Sequence, residues 1–166
     1  MKKAIVYYSM SGNTDYVAKY ISSKLGADLI RIEPKKEYPK KGLKKFLWGG
    51  KSAVMGETPE LEQYQFDSEQ YDCIIFGTPV WASSFTPPIR TFIKDNKEKL
   101  NGKKFAIFIC YMGGGADKAI EKLKQCLEIN EFDAELILID PKDKKTDEKD
   151  KQIGEFCEKI NSNFRR

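Results

Sequence analysis

At 166 residues, with 40% hydrophobic and 33% charged side chains, the chain is long enough for a sizeable core and too apolar for disorder. It contains no histidine, which excludes Ser-His and Cys-His nucleophiles and His-based metal sites, so the expected source of any chemistry is a cofactor. The formal net charge is +4, and the opening Met1-Lys2-Lys3 enters an apolar run far too short for a signal-peptide core or a membrane span; the expectation is one cytoplasmic domain over 1–166.

The first predicted strand, 4–8, runs directly into Ser9-Met10-Ser11-Gly12-Asn13-Thr14, and a helix follows with Val17, Ile21 and Leu25 at helical spacing. A strand feeding a helix through a hydroxyl-rich turn aims several backbone N–H groups at one spot, where the positive end of the helix dipole adds to them. Ser9, Ser11 and Thr14 bring hydroxyls, and Gly12 permits close approach of the backbone. The hexapeptide reads either as a phosphate cradle or as an ordinary capped turn. As a cradle it has no Lys or Arg, which fits a monoester held by neutral donors with little salt dependence, and not the triphosphate of a Walker loop.

A second strand is predicted at 28–32. Residues 34–66 depart from plain alternation and are expected to hold a second helix, with Leu43, Phe46, Leu47 and Val54 as its core face, inside a long loop. Positions 35–51 carry seven lysines and one glutamate, which reads either as a solvated face or as a docking patch for an acidic partner or phosphorylated cofactor. Gly49-Gly50-Lys51-Ser52 is not a Walker loop, because the required first glycine falls at Lys45.

The third strand, 73–77, leads into Gly77-Thr78-Pro79-Val80-Trp81-Ala82-Ser83-Ser84-Phe85-Thr86-Pro87-Pro88, where Thr86 is placed to cap a helix begun by the prolines, with Ile89, Phe92 and Ile93 inward. Trp81, beyond the strand end, either covers something flat or folds down onto that helix. The fourth strand, 105–110, ends at Tyr111-Met112-Gly113-Gly114-Gly115, before a helix carrying Ile120, Leu123 and Leu127. The fifth, 135–139, passes through a mixed-charge connection, 140–152, to a last helix with Ile153, Phe156, Cys157 and Ile160 inward. The four cysteines form no C-x-x-C pair and read as core thiols. Five short apolar strands alternating with helices imply an α/β fold: a parallel sheet covered on both faces, with ligands beyond the strands' carboxyl ends.

These three loops together resemble the flavodoxin-like FMN-binding proteins of the short-chain type, over essentially the whole chain. The resemblance implies a doubly wound three-layer sandwich with a five-stranded parallel sheet in the order 2-1-3-4-5 and FMN at the switch between strands one and three. It implies that Ser9-Met10-Ser11-Gly12-Asn13-Thr14 is the phosphate loop, with Ser9, Ser11, Gly12, Asn13 and Thr14 on the phosphate. Pro79, Val80, Trp81 and Ala82 would line one side of the isoalloxazine, and Tyr111, Gly113 and Gly114 the other.

Three features depart from the electron-carrier pattern. The charge is +4 where carriers are acidic; glycines stand where many carriers place an aromatic over the outer flavin face; and residues 79–83 contain no glycine, where carriers switch a peptide beside the flavin. The leading expectation is an FMN protein passing electrons between a reduced donor and an acceptor, its partner another redox protein. The alternative is an NAD(P)H-dependent FMN or quinone reductase, with a small planar substrate entering over the glycines. A remote third is a response-regulator-like binding module, which would need an acidic cluster where Tyr8-Ser9 stands and an aspartate where Gly77-Thr78 stands. Neither nucleic acid nor membrane is an expected partner.

Overall fold

The computed structural model describes residues 1–39 and 43–163, with 43–48 by backbone alone. Strands β1 (Lys3–Tyr7), β2 (Asp28–Arg31), β3 (Cys73–Pro79), β4 (Lys104–Tyr111) and β5 (Ala134–Ile139) alternate with helices α1 (Asn13–Leu25), α2 (Leu43–Val54), α3 (Pro87–Asp95), α4 (Ala116–Leu127) and α5 (Asp147–Asn163). All pairings are parallel and the order is β2-β1-β3-β4-β5, as the resemblance implied. β1 therefore lies between β2 and β3, and the chain reverses its winding direction there. The loops after β1 and β3 diverge from that point and leave a crevice.

Two apolar layers sandwich the sheet. Ile5, Tyr7, Ile75 and Phe108 face α1 and α5, while Val6, Phe76, Ile107 and Ile109 face α3 and α4. β1, β3 and β4 are buried on both faces, which is why they read as continuous apolar runs. β2 and β5 are edges and are not doubly buried: Leu29 and Ile139 are exposed, and every second residue of β5 faces the core. Lys2 pairs with Asp28 at 3.1 Å beside the β2 edge, placing charge where an open strand would otherwise invite pairing.

Sequence and structure differ at the element ends. β3 extends through Pro79, so Gly77-Thr78-Pro79 is strand and not loop. Gly77 has a packing reason: a Cβ there would stand 2.2 Å from the ring of Phe108, its neighbour across the β3–β4 ladder. Thr86 sits at the N-cap of α3, but its hydroxyl meets Thr78 Oγ1 at 3.0 Å and does not cap the helix. α5 begins at Asp147, which shortens the predicted 140–152 connection. Val54, expected on the core face of α2, is exposed; the side chains of Leu43, Phe46 and Leu47 lie outside the described residues, as do Lys40 and Lys41. All four cysteines are free.

Candidate functional site

The carboxyl ends of β1, β3 and β4 bring the three singled-out loops to one crevice of about 350 Å³. Met10, Ser11 and Asn13 line it from the first loop, Pro79, Val80, Trp81 and Ala82 from the second, and Tyr111, Gly113 and Gly114 from the third. Ser9, Gly12 and Thr14 do not line it; Ser9 and Thr14 are buried beneath the first loop.

In that loop Ser9 acts as the internal brace. Its hydroxyl oxygen accepts the N–H of Gly12 at 3.2 Å and of Asp15 at 3.1 Å, which folds the turn around it. Gly12 adopts the left-handed conformation, φ +96°, that a side chain disfavours. The amides of Met10, Ser11, Asn13 and Thr14 have no acceptor among the described residues, so they remain available at the positive end of α1. The Asn13 side chain is already committed. Its Nδ2 donates to Asp140 Oδ1 at 3.1 Å and its Oδ1 accepts the Lys142 N–H at 2.8 Å, so it ties the β5–α5 loop to the turn. Asp15 loses some of its preference for the charged form to partial burial. Hydrogen bonds from Lys19 and Tyr7 more than restore it, and the carboxyl sits below its ordinary range.

The second loop is a two-residue turn. Trp81 and Ser84 exchange backbone hydrogen bonds of 2.9 and 3.0 Å, and the two residues between them, Ala82 and Ser83, have φ of +47° and +54°. Absence of glycine thus does not keep this loop out of the left-handed region; the pairing of Trp81 with Ser84 imposes it. Trp81 meets α2. A Cβ on Gly49 would stand 3.0 Å from Cε3 of its ring, which is held edge-on by Tyr8 at 5.7 Å and Tyr38 at 4.9 Å between centroids.

The third loop is open at two of its glycines and closed at one. Nothing lies within 4 Å of a Cβ built on Gly113 or Gly114, whereas one on Gly115, φ +84°, would meet Ser83 Oγ at 2.4 Å. Met112 is 73% exposed at the rim. Cys110 also lines the crevice; burial pushes its thiol up to about 12, despite a hydrogen bond with Thr14, so it is a neutral surface and no nucleophile.

Sequence reasoning missed Gly50, Ser83, Cys110 and Met112 in the lining, and Lys142 beside the first loop. The glycine pair within α2 was a usable signal, since a helix interior rarely keeps two glycines without a close neighbour. Nothing local marks Lys142. Of the lysine-rich segment, Lys35 pairs with Glu60, and Lys51 lines a separate cavity of about 410 Å³ with Ser52 and Glu57.

A doubly wound sheet in this order, with a crevice at its switch point built from these loops, defines the flavodoxin-like class. A family model described as Flavodoxin matches residues 2–151, and the chain belongs to that family. Among solved structures it is similar to a flavoprotein of Lactobacillus acidophilus in complex with FMN, at 22% identity over 83% of this chain and 90% of that one, with a TM-score of 0.69. A Bacteroides eggerthii protein provisionally described as a flavoprotein gives 22% identity, 96% and 98% coverage and a TM-score of 0.76. Oxidised flavodoxin 1 of Bacillus cereus gives 20% identity, 97% and 98% coverage and 0.58. No curated protein sequence matches. No helix among the described residues is long and apolar enough to cross a membrane.

Proposed function

We propose that the chain binds FMN in this crevice and passes electrons between a reduced donor and an acceptor. The observation that carries the reading is the set of unpaired amides at Met10, Ser11, Asn13 and Thr14, beside an apolar slot walled by Trp81 and Tyr111. Unpaired amides around a left-handed glycine suit phosphate oxygens, and a slot between aromatic-bearing loops suits a flat ring. The FMN-bound Lactobacillus acidophilus protein supports the same assignment by its fold.

FMN, when bound, supplies the redox chemistry; the residues here bind it, orient it and limit water. Ser9 holds the turn in shape, the four amides and the Ser11 hydroxyl would hold the phosphate, and Trp81, seated on α2, would wall one side of the ring. Cys110, in the crevice wall, stays protonated at physiological pH and adds no charge there. We place the protein in the cytoplasm as a single domain over 1–166.

The open edge at Gly113 and Gly114 favours a second reading, an NAD(P)H-dependent FMN or quinone reductase, because no side chain there opposes stacking of a planar substrate. The absorbance spectrum of the purified protein tests flavin binding, and following it as NADH and NADPH are added separates carrier from reductase. Bleaching of the flavin by either nicotinamide decides for the reductase; a colourless protein that takes up no added FMN rejects both.

A further inference from the structure

We propose that Lys142 is the countercharge of the phosphate loop, a residue from the far end of the chain that makes the site selective for a phosphomonoester dianion. The inference rests on the FMN reading of the crevice. The loop itself is neutral, and on sequence grounds its ligand affinity is expected to vary little with salt. The fold changes that expectation by laying Lys142 across Gly12: its Nζ stands 3.1 Å, and its Cδ 3.5 Å, from where a Cβ on Gly12 would be. Gly12 therefore has a use beyond its positive φ, since any side chain there would meet the lysine.

The position is constructed. Asn13, the first residue of α1, accepts the Lys142 main-chain N–H at 2.8 Å and donates to Asp140 at 3.1 Å, so the residue that opens the phosphate-facing helix also fixes the backbone carrying the lysine. Asp140 takes φ +45° to allow this. Several neighbouring charges have partners of their own. Lys144 reaches Asp140, the acid bonded to Asn13, at 4.0 Å, Lys145 lies over the Tyr16 ring at 4.7 Å, and Asp15, the residue after the loop, pairs with Lys19 at 2.8 Å and Arg31 at 3.3 Å. Lys142 has no carboxylate within ion-pair distance among the described residues, which leaves its charge for a ligand. Because the side chain is solvent-exposed, that attraction is screened by salt.

Calorimetric titration of the full apoprotein with FMN and with riboflavin, at low salt and at about 0.5 M NaCl, tests this in the wild type, Lys142→Gln and Lys142→Arg. Expected are an FMN affinity in the wild type that falls several-fold with salt, a loss of about tenfold for FMN in Lys142→Gln at low salt with riboflavin unchanged, a flattened salt dependence in that variant, and retention of affinity in Lys142→Arg. A purely structural role would move both flavins together, and Lys142→Gln that matches the wild type in FMN affinity and salt slope overturns the assignment while leaving the FMN reading intact. A wild type that binds neither flavin removes the FMN reading, and the role of Lys142 with it.

Discussion

At the scale of single residues, the crevice is shaped by a few backbone conformations that ordinary side chains resist. Ala82 at φ +47° carries a left-handed cost of roughly 1–2 kcal/mol, and replacing it with glycine removes that cost but adds back unfolded-state entropy of about 0.5–1 kcal/mol. Ala82→Gly is therefore expected to stabilise the apoprotein by a net of about 0.5 kcal/mol in urea unfolding; a loss of stability would mean the turn is not left-handed in solution. The glycines of the third loop divide in the same way. Gly115→Ala forces a Cβ against Ser83 at an already disfavoured φ and is expected to cost more than about 1 kcal/mol, while Gly114→Ala meets nothing and is expected to gain up to about 0.5–1 kcal/mol from the lower entropy of the unfolded chain. Equal effects from the two would show that the second and third loops do not touch.

At the scale of elements, α2 is the seat of Trp81, and this contact changes what the tryptophan is expected to do. Had the ring faced only a ligand, its removal would spare the apoprotein. Packed on Gly49 and edge-on to Tyr8 and Tyr38, Trp81→Ala is expected to cost about 2 kcal/mol of apoprotein stability as well as flavin affinity. Gly49→Ala supplies the converse. Helix propensity alone would favour alanine by roughly 1 kcal/mol, but its Cβ would press on the ring, so a shift in Trp81 fluorescence with weaker FMN binding is expected, and a simple gain in stability would count against the contact. The elements themselves were legible: a doubly buried strand such as β3 announces itself by an unbroken apolar run, and Val17 and Ile21 by their spacing. What was not legible depends on partners distant in sequence. That Asn13 is committed to Asp140, that Thr86 bonds Thr78 in place of capping, and that Val54 points outward are decided by which surface each element meets, and no local pattern encodes that.

At the scale of the whole molecule, the sheet's carboxyl edge and its flanks bury phenols, and this sets how the protein meets alkali. Burial raises Tyr7, Tyr8, Tyr38 and Tyr64 above the ordinary tyrosine range, reinforced at Tyr7 by its hydrogen bond to Asp15. Unfolded, each titrates near about 10. Below that pH both states hold the proton and these groups are neutral in the balance; above it the unfolded chain releases protons that the folded chain keeps. The unfolded state then binds fewer protons, so stability falls as pH rises, by at most about 1.4 kcal/mol per pH unit for each such tyrosine. Tyr8 isolates the effect, because it is buried with no hydrogen-bond partner at its hydroxyl among the described residues, and Tyr8→Phe keeps its packing on Trp81 and Tyr38. Burial likewise holds the thiols of Cys73, Cys110, Cys126 and Cys157 protonated while unfolded thiols ionise near about 8.5, so urea unfolding of the apoprotein is expected to show a decline that begins there, steepens above about 10 as the tyrosines join, and is shallower in that upper range in Tyr8→Phe. Parallel profiles for the two proteins would mean that Tyr8 ionises as freely in the folded state as in the unfolded one, and that the aromatic support behind the crevice is open to water.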